Sequence, residues 1–477
     1  MVYSTHLKHN QPSTNNSKLL KFLGYLLFLP CFCFNVAKLT FICKANIDSP
    51  QYPQQHTLIY SNRIQSMSYS VNLERIQTDI YSLGRIGYNP EDRGIYRQGF
   101  TTADMHARQW LQERFTQIDV PSRMDGAGNI IARYGDPEGK ALVIGSHLDS
   151  VPCGGIFDGV LGVIAGLECI RVIQENNIEL KHPIEVIATS EEEGRFGGML
   201  GAQALTGNLT LDWLERARDP NGELLRDAMA SCQLFYHQAL EAAKDPEEIL
   251  AFLELHIEQG PVLEKEKKTI GVVEGISGVF KWLIKFIGKA DHAGTAPMDL
   301  RSDAFMGVAN FAHEISRIIE EDGSDSSRLT IGRVELKPGY AHTVPGNAEF
   351  TLVGRDMSEE VMLGMSESCR KVLSAIARRH GLMFEYEQMS WLAPKPCSQE
   401  IQSLITNVTA KLGYSYQAMP SGAGHDAQFF TEITPTGLIF IPSVGGVSHA
   451  PDEWSHWHDV EKGCNVLLET ALELIAR

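Results

Sequence analysis

From Val71 onward the apolar positions of the chain switch between two periods. Leu73, Ile76, Ile80, Leu83 and Ile86 recur at spacings of three and four, which predicts a helix. Residues 101–117 read as a second helix, capped by Thr101 or Thr102. Lys140–Ser146 is a short apolar run behind the turn residues Asp136, Pro137 and Gly139, and predicts a buried strand. Gly159–Glu175 is helical again, and Pro183–Thr189 is a second buried strand. Alternation of this kind predicts an α/β fold, a mixed and largely parallel sheet flanked by helices. Ligands on such sheets bind at the carboxyl ends of the strands.

The rhythm changes between residues 275 and 390. Val279–Gly288, Leu329–Leu336, Ala348–Arg355 and Leu382–Met389 read as strands. Ser302–Glu321, with Phe305, Val308, Phe311, Ile315 and Ile318 in register, is an amphipathic helix, and so is Glu359–His380. The order β-α-β-β-α-β is ferredoxin-like. An α/β domain interrupted by an inserted α+β domain is therefore expected, with parts at 67–274, 275–390 and 391–477. Gly275 and Gly278 are candidate hinges at the first junction.

Residues 1–66 follow neither rhythm. Lys18 and Lys21 lead into an apolar run of 13 residues, Phe22–Phe34. Spanning a bilayer takes about 20 residues, so no stable membrane span is expected. The run fits a signal-peptide core of roughly 7–15 residues, but Lys38, Lys44 and Asn46 interrupt a cleavage site. Three readings stay open: a targeting signal, an upstream extension of a chain starting at Met67, or a genuine extra segment. The nine cysteines are scattered without zinc-ribbon spacing, which suits a reducing, cytoplasmic setting. The 42 Lys+Arg against 59 Asp+Glu give a net charge of −17. That balance opposes binding to a nucleic-acid backbone.

Candidate chemistry gathers where the apolar strands end. After the first buried strand come His147 and Asp149, then Asp158 between glycines at a helix start. Asp158 has a plainer reading as a helix cap. After the second come Glu191, Glu192 and Glu193, whose mutual repulsion at a buried strand end a cation would relieve. His256 and His449 stand beside turn residues and behind apolar runs. Such histidines taken singly are usually satisfied or surface groups. Taken together, the set supplies nitrogen and oxygen donors suited to two divalent ions such as zinc or manganese.

The segments GSHLDSVPCGGIFDG, EEEG, HIEQGPVLE, GKADHAGTAPMDLRSDA and GGVSHAPDE resemble the N-carbamoyl-L-amino acid hydrolase and allantoate amidohydrolase branch of the M20 metallopeptidase family. The resemblance runs from about Val71 to the C-terminus. It is specific for the superfamily and far less so for the substrate. It implies a zinc-exopeptidase-like fold whose inserted domain forms a homodimer. It also implies a dinuclear centre bridged by Asp158, with His147 and His256 on one ion and Glu193 and His449 on the other. Zinc or manganese is implied, with cobalt or nickel as further options. Asp149 matches the carboxylate that orients the first histidine, and Glu192 matches the general base. Gln259 and His292 match groups that contact substrate or the developing oxyanion, His292 from the partner subunit. Arg355 matches the arginine that grips the substrate carboxylate. His425 and Asp426 sit in a glycine-rich loop that faces the site in the family.

Two departures bear on the substrate. Gly194 runs directly into Arg195-Phe196, where the family usually has one more residue. His342 stands where the family usually has Asn, and its ring offers a different donor and acceptor geometry. The activity implied is metal-dependent hydrolysis of the ureido C–N bond of a small N-carbamoyl-L-amino acid, releasing ammonia and carbon dioxide. Allantoate and β-ureidopropionate are the nearest alternative substrates. A catalytically silent metal-binding protein is the remote alternative.

Overall fold

The computed structural model describes residues 69–477. Expectations for the first 66 residues lie outside these described residues. In chain order the strands are β1 (Ser122–Met124), β2 (Ile130–Tyr134), β3 (Ala141–His147), β4 (Ile184–Thr189), β5 (Ile249–Ile257), β6 (Ile270–Ile276), β7 (Gly278–Ile287), β8 (Asp291–His292), β9 (Arg328–Lys337), β10 (Thr343–Val344), β11 (Asn347–Asp356), β12 (Met383–Leu392), β13 (Lys395–Pro396), β14 (Tyr416–Ser421) and β15 (Thr436–Ile441).

Nine of them form one sheet in the order β1-β2-β4-β3-β5-β15-β6-β13, with β14 beside β6. Its centre, β4-β3-β5-β15, is parallel throughout; β2 runs antiparallel to its neighbours, and β6 runs antiparallel to β15 and β13 but parallel to β14. Every residue of β3, β4 and β15 is buried, which accounts for their unbroken apolar runs. The helix Val160–Glu175 packs on β3, β4 and β5, and the helix Trp457–Ile475 packs on β5 and β15. On the opposite face Phe430 stacks on Phe252 with ring centroids 4.0 Å apart. Each fully buried aliphatic side chain here contributes about 1.5–3 kcal/mol. The result is a rigid platform whose four parallel strands all end on one edge.

A second sheet of four antiparallel strands, β12-β7-β11-β9, carries two helices, Ala304–Asp322 and Glu359–His380. Burial alternates along β7 and β11, as expected of a sheet covered on one face. β12 runs on to Leu392, three residues past the expected Met389, through a register shift between Gln388 and Ser390. That extension sets Trp391 and Leu392 opposite Phe280 and Val279. Phe305, placed on the apolar stripe of its helix by spacing, is exposed instead, as is Met306.

The two sheets are joined by strands side by side, β6 leading out and β13 leading back. At this crossing Gly275 and Gly278 are packing residues. A Cβ on Gly275 would lie 2.6 Å from the Lys395 carbonyl oxygen, and one on Gly278 would lie 2.5 Å from the Met362 sulfur. Neither has a positive φ, so close approach explains both glycines without a hinge.

Candidate metal centre

The four parallel strands deliver the ligand candidates to one edge of the sheet. His147 is the last residue of β3, and His256 is the second-last of β5. Glu192 and Glu193 follow β4, and His449 follows β15. His147 Nδ1 lies 3.0 Å from the Asp149 carbonyl oxygen, and His256 Nδ1 lies 2.9 Å from that of Ile257. A carbonyl can only accept, so both rings carry a proton on Nδ1 and turn Nε2 inward.

Asp158 lies between those rings. Its Oδ1 is 3.5 Å from His147 Nε2 and 3.1 Å from His256 Nε2. Its Oδ2 is 3.2 Å from His449 Nε2, which is 3.4 Å from Glu193 Oε2. Asp158 makes no side-chain cap for the helix that follows, so the plainer reading of this residue fails. Gly159 caps it with a φ of +66°, and a Cβ there would lie 2.5 Å from the His147 ring. Only glycine fits that turn.

The donor set fits two divalent ions. Donors about 2.1 Å from a common tetrahedral ion sit roughly 3.4 Å apart, close to the separations around Asp158. Glu193 Oε1 is buried without a hydrogen-bond partner, an acceptor left for a cation. Burial pushes the Glu193 carboxyl up to about 8, with the Asp158 charge adding to it. Burial also holds Glu192 well above the usual carboxylate range. The hydrogen bond to Asp158 raises His449 to about 9. For Asp158, burial opposes ionisation, yet its bonds to His147, His256 and His449 hold it well below the ordinary value. Without a cation these groups share protons among themselves.

Asp149 acts differently from the role its resemblance implies. Its carboxylate lies 4.0 Å from His147 Nδ1, too far for a hydrogen bond. It accepts instead from the backbone N–H groups of Glu192 (3.2 Å) and Glu193 (3.1 Å). It therefore clamps the turn that presents both glutamates, while its own carbonyl orients His147.

Glu192, Glu193, Gln259 and Arg355 line one cavity of about 240 Å³ with the three histidines and Asp158. Gln259 donates from Nε2 to Asp158 Oδ2 at 3.0 Å. Arg355 sits on β11 opposite Val279 and donates to the Gly422 carbonyl at 2.9 Å. His292 and His342 are elsewhere. Both are exposed at the separate two-stranded sheet of β8 and β10, where Thr343 pairs with His292, and neither lines this cavity. His292 Nδ1 accepts the N–H groups of Gly294 (3.0 Å) and Thr295 (3.2 Å), so its proton is on Nε2.

A family model described as Peptidase family M20/M25/M40 matches residues 143–473. The chain belongs to this family. An N-carbamoyl-L-amino-acid amidohydrolase of Paenarthrobacter aurescens is 37% identical over 399 residues, covering 83% of this chain and 96% of that protein. An allantoate amidohydrolase of Bacillus subtilis is 28% identical over 387 residues, covering 80% and 93%. Among solved structures, an amidase of the hydantoinase/carbamoylase family from Burkholderia multivorans matches with a TM-score of 0.80 and 31% identity. That match covers 86% of this chain and 99% of the other.

Two groups that hold the centre of this M20 chain, Glu453 and Glu254, escaped sequence reasoning, whereas Glu191, His425 and Asp426 were named by it. Glu453 accepts from the N–H groups of Phe157 (3.0 Å) and Asp158 (3.1 Å) and from the Ser448 hydroxyl (2.8 Å). It ties the Asp158 loop to the His449 loop, and burial pushes it up to about 7. Its signal was an acid closing the GGVSHAPDE segment. Glu254, inside β5, accepts from Ser146 and from the Ala427 N–H. Asp426 accepts from the Thr189 hydroxyl at 2.6 Å, and His425 stands edge-on to His256 with centroids 4.6 Å apart. Glu191 accepts from the N–H groups of Phe196 and Gly198. Glu191, Met199, Gln259 and His449 all have positive φ. Such strain costs about 1–3 kcal/mol at each position and persists only where surrounding contacts over-determine it.

Proposed function

We propose that the chain is a metal-dependent amidase that hydrolyses the ureido C–N bond of an N-carbamoyl-L-amino acid, giving the amino acid, ammonia and carbon dioxide. One observation carries the reading. The two oxygens of Asp158 face separate donor pairs, and Glu192 and Arg355 open onto the same cavity. His147 and His256 would hold one ion, Glu193 and His449 the other, with Asp158 between them. Zinc or manganese suits these donors, and cobalt or nickel could replace them. Bound there, the ions polarise a carbonyl and make water a nucleophile near neutral pH.

The protein supplies the rest. Glu192 takes a proton from the attacking water and returns it to the leaving nitrogen. Its raised pKa suits a group that must both take and give a proton. Arg355 holds the substrate carboxylate through its planar fork. Gln259, fixed by Asp158, orients the ureido group. His292, with its proton on Nε2, suits a donor to the developing oxyanion in the partner subunit's cavity. His342 would border that contact.

A homodimer belongs to this reading. Strand β9 is an edge of its sheet, and Met298, Leu300 and Phe305 are exposed apolar side chains on the same lobe. A cytoplasmic location belongs to it too, because Cys153, Cys169, Cys232, Cys369, Cys397 and Cys464 are all free thiols. Among the described residues no helix is long and apolar enough to cross a membrane.

Allantoate is the second reading, since it is also a ureido acid with a carboxylate for Arg355. Ammonia release is the test, using N-carbamoyl-L-amino acids, allantoate and β-ureidopropionate with manganese or zinc supplied. Stoichiometric metal without ammonia from any of them would leave a silent metal-binding protein.

A further inference from the structure

Two further cavities open on either side of Arg355, and both expose more apolar than polar surface. One, of about 520 Å³, meets Gln259 and mixes Asp325, Arg328 and Gln417 with Val262, Met419 and Phe440. The other, of about 450 Å³, shares Glu192, Glu193 and Arg355 with the ligand cavity. Its walls are Met199, Ile276, Val279, Trp391, Leu392 and Phe429. The polar groups at its rim are mostly committed. Lys395 pairs with Glu432, which also accepts from Asn208, and the Trp391 indole donates to Glu359. Ser277 and Gln428 are the remaining polar side chains there.

We propose that this apolar cavity is the side-chain pocket and that it selects N-carbamoyl-L-amino acids with a large apolar side chain. The inference rests on the amidase reading above. A substrate with its carboxylate on Arg355 and its ureido carbon beside Glu192 has its α-carbon between those two residues. Of these two cavities, only the one walled by Met199, Trp391 and Phe429 also meets Glu192. Its volume falls within the range of small-ligand sites. A second ureido group, as in allantoate, would enter it with too few partners, and an unpaired polar group in an apolar site is disfavoured. The structure places the selecting side chains on both lobes: Met199 and Phe429 beside the large sheet, Val279 and Leu392 on the small one.

The test is kcat/KM for ammonia release by the full chain with manganese supplied. The substrates are N-carbamoyl-L-phenylalanine, N-carbamoyl-L-tryptophan, N-carbamoylglycine and allantoate. One methylene in an apolar pocket is worth roughly 10- to 200-fold, so the aromatic compounds should exceed N-carbamoylglycine by at least about 100-fold. They should exceed allantoate by at least about tenfold. Leu392, 53% exposed, tolerates a polar replacement. Leu392→Asp should lower the phenylalanine-to-glycine ratio at least about tenfold, and Val279→Asp should act in the same direction. The inference is overturned if the wild type turns over N-carbamoylglycine or allantoate as well as the aromatic compounds. It is also overturned if both variants keep the ratio within threefold. Release of ammonia from none of the compounds would instead sink the amidase reading, and this inference with it.

Discussion

Replacing Asp149 with Asn tests how the glutamate pair is held. The carboxylate accepts two backbone N–H groups, those of Glu192 and Glu193, at 3.2 and 3.1 Å. A hydrogen bond to a charged group is worth roughly 1.5–3 kcal/mol. Asn keeps one acceptor and turns an NH2 toward the second N–H, so one bond is lost and two donors meet. The turn should lose about 1.5–3 kcal/mol of restraint. Expressed in the reacting geometry, that is roughly a 10- to 150-fold fall in kcat. The assay is ammonia release at saturating metal, paired with a metal titration. If Asp149 instead served His147 alone, the substitution would weaken metal binding, and excess metal would restore the rate. A kcat within threefold of wild type at saturating metal would refute the clamp.

Glu192→Gln should retain stoichiometric metal, measured by elemental analysis, yet lose about 10²- to 10⁴-fold in kcat, the usual worth of a positioned proton carrier. Arg355→Lys loses the bidentate fork and should raise KM at least tenfold for carboxylate-bearing substrates, with little change for an uncharged ureide. Asp104→Ala strips the partner from Arg108, a fully buried pair 2.9 Å apart, and should cost about 3–5 kcal/mol in urea unfolding. Arg108 also donates to the Thr189 carbonyl at the end of β4, so the loss would reach the glutamate turn. Metal binding should release protons. In the metal-free chain Glu193 (about 8) and His449 (about 9) are raised, so both hold protons at pH 7 that a metal must displace. Apparent affinity should therefore rise with pH up to about 9. Calorimetry in two buffers of different ionisation enthalpy should register at least one proton released, and an affinity flat from pH 6 to 9 would refute the assignment.

Much of the scaffold was legible because its signals are local. The apolar runs of β3 and β4 and the alternation along β7 and β11 each report burial on two faces or on one. The candidate ligands stand together because each lies at or beyond the end of an apolar strand, and parallel strands end on one edge. The clamps were not legible. Glu453 is far in sequence from Phe157 and Asp158, whose N–H groups it binds, and nothing local marks an acid as an acceptor for distant backbone. Asp149 misled for the same reason, since proximity to His147 suggested a contact that its carboxylate makes with the glutamate turn. The exposed Phe305 has a helical apolar period, but its exposed neighbour Met306 also lies off the core face, and period alone does not say which apolar side chains a single chain covers.

The electrostatics of the centre explain why so many buried acids are tolerated. Asp149, Asp158, Glu191, Glu254, Asp426 and Glu453 are buried around the ligand cavity, together with Glu192. Arg355 is the basic side chain lining that cavity. Burial pushes Glu191 up to about 8 and Asp426 up to about 7, so in the metal-free chain much of this charge is suppressed by bound protons. A carboxylate substrate approaching such a cavity would meet the acids that stay ionised, offset by the Arg355 guanidinium and the protonated His449. Two divalent ions held by the candidate ligands would add positive charge there, and Arg355 would hold the carboxylate apart from Asp158. The acids beyond the ligands are not a reserve of charge for the substrate. Asp149, Glu191, Glu254 and Glu453 are acceptors that fix backbone N–H groups of the Asp158, glutamate and glycine-rich loops, Asp426 accepts from the Thr189 hydroxyl, and these hydrogen bonds make their burial tolerable.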